Sequence, residues 1–569
     1  MLLIVCALVA ASCTTAVGRR HAPAGAPTVE EMLRTVGRDV VLHLARGYVP
    51  DRSGEISLVP KPWNVIGQWP EGLRGPEDPR TTHPTPWSYH QRVPIILSGP
   101  GTIRAGGRVD WPVTVADLAP TFAEILDFPF KAPDGEVLRE ALLPRPDRSV
   151  PRLVVLVVQD GGGWNVLERW PRAWPNVRRL AAGGTTYTNA TVGSAPSVTA
   201  PVHATMGTGA YPRLHGMPEN TGRLPNGELG ELFFNEADPR LIRRGSLADH
   251  WDKANGNEPW VGMLGFESWH LGMMGKGTRS LGGDRDVAVL WEREEGRLWT
   301  NERFYRLPSY LPGPERLADD LAALDRTDGI TDGAWRGNSL ESDFIVPGTP
   351  AFVDYMGKSL FRVLRREPIA TDNLTDFLFL ELKSSDYAGH IWNMEGPEVA
   401  AILRAQDRVI GRLVSFLDRN IGAGRYVLAV SADHGQTPLP ETTGGLRIDR
   451  LQIANEVNDY FGASVIEAVH PDDVYLDMDE VRSAGLAVGE IARFLGDYRY
   501  RDALPEGSDP TLIDEARLNE RVFAAAIPGS LLEQIGAEDL LALGEGRYPE
   551  GDLTSPLSVR GLLTGRPLT

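Results

Sequence analysis

The chain has 569 residues, 42% of them hydrophobic, and 58 basic against 76 acidic residues give a formal net charge of −18. A chain of that size buries a large globular core, and length alone allows about two to four domains. The acidic balance argues against a broad positive surface for a nucleic-acid polymer or an anionic membrane, so a small anionic substrate needs locally placed cations or metal ions.

Residues 1–27, "MLLIVCALVAASCTTAVGRRHAPAGAP", are a short apolar run followed by small residues and a Pro/Gly/Ala tail. The run is too short to span a bilayer and reads as an export signal, although its start carries no Lys or Arg. "AASC" resembles a bacterial lipoprotein cleavage box. Two readings stay open, a soluble exported protein and one lipid-anchored through Cys13, and both place it in the bacterial periplasm or cell envelope. Both cysteines, Cys6 and Cys13, lie in this leader, so the rest of the chain has no disulfide or thiol chemistry.

Residues 28–142 form a first segment that contains the apolar run "VPIILSG" (93–99). "LLPRPDRSVPR" (142–152) reads as a linker, with residues 143–152 as its body. A core over 153–484 carries "LVVLVVQDG" (153–161), "FLFLELKSSD" (377–386) and "YVLAVSADHG" (426–435), and the pattern of 396–421 predicts a helix. All four apolar runs are unbroken and β-rich, as strands of a parallel sheet covered on both faces are, so the fold class is α/β. Residues 485–569 complete or cap the same domain, and the Gly/Pro-rich tail after Gly544 reads as loosely ordered.

Three of the four runs end on Asp with Gly or His nearby, and the carboxyl ends of parallel strands are where open α/β sheets place their chemistry. An isolated Asp or His is usually a cap or a satisfied core group. Asp160, Asp386 with His390, and Asp433 with His434, each closing an apolar strand, point instead to metal ligands suited to zinc or manganese. A two-metal centre needs about six ligands and a nucleophile. The loop "SVTAPVHATMGTGAYPRLHGMPEN" (197–220) offers Thr199, which also reads as the start of a helix.

"LVVLVVQDGGGW", "TAPVHATMGTGAYPRLHGMPEN", "SSDYAGH" and "SADHGQTPL" together resemble the motifs of the alkaline phosphatase superfamily. Within it they are similar to the branch of nucleotide pyrophosphatase/phosphodiesterases and single-threonine alkaline phosphatases. The resemblance implies a three-layer α/β/α sandwich with a mostly parallel central sheet, a phosphoric ester substrate and two divalent metal ions, most simply zinc. It implies Thr199 as covalent nucleophile, one zinc on Asp160, Thr199, Asp433 and His434, and the other on Asp386, His390 and a final histidine. Asn220 then hydrogen-bonds a phosphoryl oxygen, and His203 and His215 are structural.

The final histidine departs from the family pattern. His470, in "VIEAVHPDDVYLD", does not look like the family motif, whereas the stretch from "GYVPDRSG" through "TTHPTPWSYHQRVPIILSG" resembles the family's C-terminal segment. On that reading His83 is the last ligand, with Pro84 in place of the usual Gly, His90 is a packing variant, and the chain is circularly permuted. Lys276 and Arg279 stand near the position of the Lys-x-Arg pair of monoesterases, although a solvated loop accounts for them equally well. Monoester and diester or pyrophosphate substrates both remain open. A non-catalytic phospho-ligand binder, a sulfatase and a phosphomutase-like enzyme are the other readings.

Overall fold

The computed structural model describes residues 27–67, 80–504 and 513–535. The leader ahead of Pro27, with Cys13, and the Gly/Pro-rich tail lie outside the described residues. Nine strands form a central sheet: β1 (Ile95–Ser98), β2 (Gly107–Val109), β3 (Leu153–Val158), β4 (Thr185–Tyr187), β5 (Val261–Leu264), β6 (Val287–Glu292), β7 (Arg297–Trp299), β8 (Asp376–Glu381) and β9 (Tyr426–Ser431). Their order across the sheet is β7-β6-β5-β8-β3-β9-β1-β4-β2. The five strands from β6 to β9 in that order are mutually parallel.

Alternate residues of the central strands enter opposite apolar layers, which is why both faces must be apolar. Val154, Leu156 and Val158 of β3 join a cluster with α1 (Leu118–Ile125). Leu153, Val155 and Val157 join the opposite cluster with α2 (Pro175–Gly183). The first layer also contains α3 (Thr199–Thr208), and the second contains α4 (Pro350–Arg366), α5 (Ser384–Trp392) and α6 (Pro397–Leu417). The result is the expected α/β/α arrangement.

The run at 93–99 differs from its expected direction. β1 is antiparallel to both β9 and β4. A strand covered on both faces is apolar whichever way it runs, so its composition carries no information about direction. The predicted helix over 396–421 is α6, closed by one π-helical turn at Asp418–Gly422. The linker is ordered: Arg148 donates to the carbonyls of Leu143 and Glu124, tying it to α1.

Strand register positions the chemistry. Glu381, Val158 and Ser431, the last residues of β8, β3 and β9, are level with one another. Ile95, at the start of β1, is level with Ser431 and with Tyr187 at the end of β4. The segments after β3, β8, β9 and β4, and the segment before β1, therefore emerge at one edge of the sheet.

A separate four-stranded sheet contains Ile466–Val469, Asp473–Leu476, Ile56–Pro60 and Phe523–Pro528, in that order. The residues after 484 thus pair with the N-terminal segment through Phe523–Pro528, which is antiparallel to Ile56–Pro60. Among the described residues, no helix is long and apolar enough to cross a membrane.

Candidate active site

Two triads of ligand-type atoms converge at this edge: Asp160 with Asp433 and His434, and His83 with Asp386 and His390. Asp160, Asp433 and His434 closely follow β3 and β9, while Asp386 and His390 lie one turn apart on α5, the helix that follows β8. His83 arrives on the segment before β1, and His470 is elsewhere, with Nδ1 3.4 Å from Thr221 Oγ1 and its ring against Tyr475. Gly161 allows the chain to turn beside the cluster, with φ +68, and a Cβ there would lie 2.4 Å from Gln436 Nε2. That amide donates to Asp386 Oδ1 at 2.6 Å.

The hydrogen bonds fix which ring nitrogens face inward. His83 Nδ1 lies 2.9 Å from the Ser197 carbonyl, His390 Nδ1 2.6 Å from that of Thr81, and His434 Nδ1 2.9 Å from that of Gly435. A carbonyl only accepts, so each Nδ1 carries the proton and each Nε2 presents a lone pair. His83 Nε2 and His390 Nε2 face each other at 3.2 Å, each within 3.4 Å of Asp386 Oδ1. On the other side, Asp160 Oδ1, Asp433 Oδ2 and His434 Nε2 are buried without a hydrogen-bond partner. Facing lone pairs and orphaned carboxylate oxygens are costly unless a cation lies among them. The donor set therefore fits two divalent metal ions, and its nitrogen and carboxylate content suits zinc.

The same test sets His270, His215 and His90 apart, whereas His203 passes it at Nδ1 and differs in that its Nε2 is taken by Glu381. His270 Nδ1 accepts from the backbone N–H groups of Phe266 and Glu267, which leaves the proton on Nε2, 3.3 Å from Asp160 Oδ2. It orients a ligand from behind, although with His203 and Glu381 it forms a third cluster of ligand-type side chains. His203 Nδ1 donates to the Thr199 carbonyl at 2.8 Å, and its Nε2 meets Glu381 Oε2 at 2.7 Å. His215 Nδ1 accepts from Met217 N–H and His90 Nδ1 from Thr85 N–H, so both rings are packing elements.

Thr199 opens α3 and is buried. Asn220 Oδ1 accepts the Ala200 N–H at 2.9 Å, which leaves its amide NH₂ as the free donor beside the helix N-terminus. The cation next to Thr199 is a correction to the sequence reading. Lys276 is half-buried, Arg279 is exposed, and neither side chain is hydrogen-bonded or ion-paired to the cluster. Lys383, three residues before Asp386, donates to Thr199 Oγ1 at 3.2 Å, Asp160 Oδ2 at 2.9 Å and Asp386 Oδ2 at 2.7 Å. Burial works against ionising all three partners, yet Asp160 and Asp386 hold the Lys383 ammonium well above its ordinary pKa. The charge of Lys383, with the hydrogen bond from His270, in turn overcomes burial and holds Asp160 well below the carboxylate range.

Comparison with solved structures gives the class. A crystal structure of wild-type alkaline phosphatase PafA superposes with a TM-score of 0.52 at 19% identity, covering 68% of this chain and 85% of that one. The fold is that of an alkaline-phosphatase-like α/β protein, with its ligand-type residues gathered at the strand ends. Residues 154–508, more than half of the chain, match the sequence model of the type I phosphodiesterase / nucleotide pyrophosphatase family. The chain belongs to this family of phosphoric ester hydrolases. It is 23% identical over 402 residues to alkaline phosphatase PafA of Elizabethkingia meningoseptica, spanning 61% of this chain and 72% of the relative. It is also 23% identical over 400 residues to alkaline phosphatase PhoV of Synechococcus elongatus, with coverage of 61% and 72%.

Proposed function

We propose that the protein hydrolyses small phosphoric esters by nucleophilic attack of Thr199 within a two-zinc centre held by Asp160, Asp433 and His434 on one side and His83, Asp386 and His390 on the other. The observation that carries this is the convergence of inward-facing Nε2 atoms and carboxylate oxygens from both triads, with Asp160 Oδ1, Asp433 Oδ2 and His434 Nε2 lacking a hydrogen-bond partner and Thr199 linked to the triads through Lys383. Metal bound there supplies positive charge that lowers the pKa of the nucleophile and offsets charge on the phosphoryl oxygens. Thr199 Oγ attacks in line, the ester alcohol leaves, and water then cleaves the phosphothreonine. The free Asn220 NH₂ donates to an equatorial oxygen, a bond worth about 3 kcal/mol by analogy with oxyanion donors. The place of His83 before β1, in a segment that reads like the family's C-terminal part, supports a permuted order of the same elements.

The test is hydrolysis of p-nitrophenyl phosphate and bis-p-nitrophenyl phosphate by the zinc-loaded protein, beside Thr199→Ala and His83→Ala. Wild type is expected to cleave at least one ester, Thr199→Ala to lose at least about 1,000-fold in kcat, and His83→Ala to lose one of two zinc ions. An inactive wild type, or an active Thr199→Ala, rules the reading out.

A further inference from the structure

The cation closest to Thr199 belongs to the chain itself. Lys383 is 6% exposed, and an ammonium is held that deep only when its donors are matched. It has three donors. Two go to carboxylates of different triads, Asp160 and Asp386, and the third goes to Thr199 Oγ1.

Taken oxygen by oxygen, this arrangement does not compete with metal binding. Lys383 takes Oδ2 of Asp160 and Oδ2 of Asp386. The other oxygen of each carboxylate faces the histidines: Asp160 Oδ1 lies 3.3 Å from His434 Nε2, and Asp386 Oδ1 lies 3.4 Å from His83 Nε2 and 3.3 Å from His390 Nε2. Each aspartate thus has one oxygen facing its triad, that of Asp386 also accepting from Gln436, and one for the lysine, that of Asp160 shared with His270. Lys383 is also the side chain that joins the two triads to the nucleophile, a place that neither Lys276 nor Arg279 takes.

We propose that Lys383 is a catalytic residue, a fixed ammonium that ties the two ligand triads together and donates to Thr199 Oγ and then to a phosphoryl oxygen, biasing the site toward phosphate monoesters over diesters. This rests on the hydrolase reading above. A monoester dianion brings one more negative charge than a diester, and a water-poor site magnifies its attraction to a cation that cannot diffuse away. In the transfer, the Oγ–P bond forms as the bond from phosphorus to the ester oxygen breaks. The bonding pair leaves with that oxygen, and the threonine proton reaches it by way of water. Lys383 keeps its proton throughout. Once Oγ is esterified, the lysine's third donor turns to a phosphoryl oxygen.

The experiment compares wild type with Lys383→Met and Lys383→Gln. It reads zinc per chain by elemental mass spectrometry, inorganic phosphate affinity by calorimetry, and kcat/KM for p-nitrophenyl phosphate and its bis-ester. Both variants are expected to keep their zinc, to bind phosphate at least about 10-fold more weakly, and to lower the monoester-to-diester ratio by roughly 100-fold. An unchanged ratio with unchanged phosphate affinity overturns the proposal. So does zinc loss with both esters falling equally, or failure of both variants to fold, since either makes the lysine a structural counter-ion. If wild type cleaves neither ester, the hydrolase reading fails, and the phosphate affinities still decide whether Lys383 meets the anion.

Discussion

At the scale of single residues, the position of one ring proton separates the triad histidines from His270, His90 and His215, while His203, which also gives Nδ1–H to a carbonyl, is set apart by an Nε2 that meets Glu381. His83, His390 and His434 give Nδ1–H to a carbonyl and point Nε2 inward, whereas the Nδ1 atoms of His270, His90 and His215 accept backbone N–H groups. His43, in the helix Arg38–Gly47 and outside both triads, shows what burial does to a histidine. It is buried with Nδ1 unpartnered, and burial followed by the charge of Arg46 pushes its pKa down to about 3. An unfolded histidine takes up a proton near 6.5 while the folded one refuses it, so the stability conferred by the neutral ring is complete above 6.5 and is lost as pH falls toward 3. At pH 5 the loss is about 2 kcal/mol, from about 1.5 units at 1.36 kcal/mol each. Urea unfolding of wild type and His43→Leu at pH 7 and pH 5 checks this. The stability difference should move by about that amount in the variant's favour, and an identical difference at both pH values would contradict it.

At the scale of elements, the site is made by level strand ends. Asp160, Asp386 and Asp433 were legible in the sequence because each follows an apolar run, and the register of β8, β3 and β9 brings those ends together. His83 was legible only through a family resemblance, because it lies 303 residues from Asp386 and precedes a strand whose antiparallel direction leaves no trace in its composition. Lys383 lies within the run 377–386 and carries no signal of its own there. A lysine after a strand ordinarily reads as solvated, and its burial depends on Asp386 in its own segment together with Asp160 from another strand. Lys276 and Arg279 show the converse, two cations close in sequence whose loop leaves Arg279 exposed. The turn after β3 calls for a glycine. At Gly161 the left-handed φ costs an L-residue about 1–2 kcal/mol, and a Cβ would strike the amide of Gln436 that holds Asp386. On the proposed two-metal reading, Gly161→Ala is expected to lower the melting temperature and to weaken zinc binding at least tenfold in a chelator competition. Unchanged zinc affinity would show that Gln436 is free to move aside and that the turn does not set the ligand geometry.

At the scale of the whole molecule, the first segment is woven into both sheets. β1 has neighbours on both sides, β9 and β4, and Ile56–Pro60 lies between Asp473–Leu476 and Phe523–Pro528. Ile95, Ile96 and Leu97 are fully buried, each such side chain contributing about 1.5–3 kcal/mol, before any ladder hydrogen bond is counted. The covalent link to the rest of the chain is by contrast a surface strap, with Pro144 to Asp147 exposed. If the two parts are held by interleaved strands rather than by that strap, cutting it should change little. A specific protease site inserted between Pro146 and Asp147 should, after cleavage, leave both pieces in one particle on size-exclusion chromatography, with the zinc content of the intact protein. The pieces should separate only in denaturant. Separation without denaturant would mean that the strap, not strand pairing, keeps His83 beside Asp386, and the cut protein should then lose the zinc of that triad first. Retention of both ions in the cut protein is the outcome expected of a fold whose chain order can be rearranged while its sheet order stays the same.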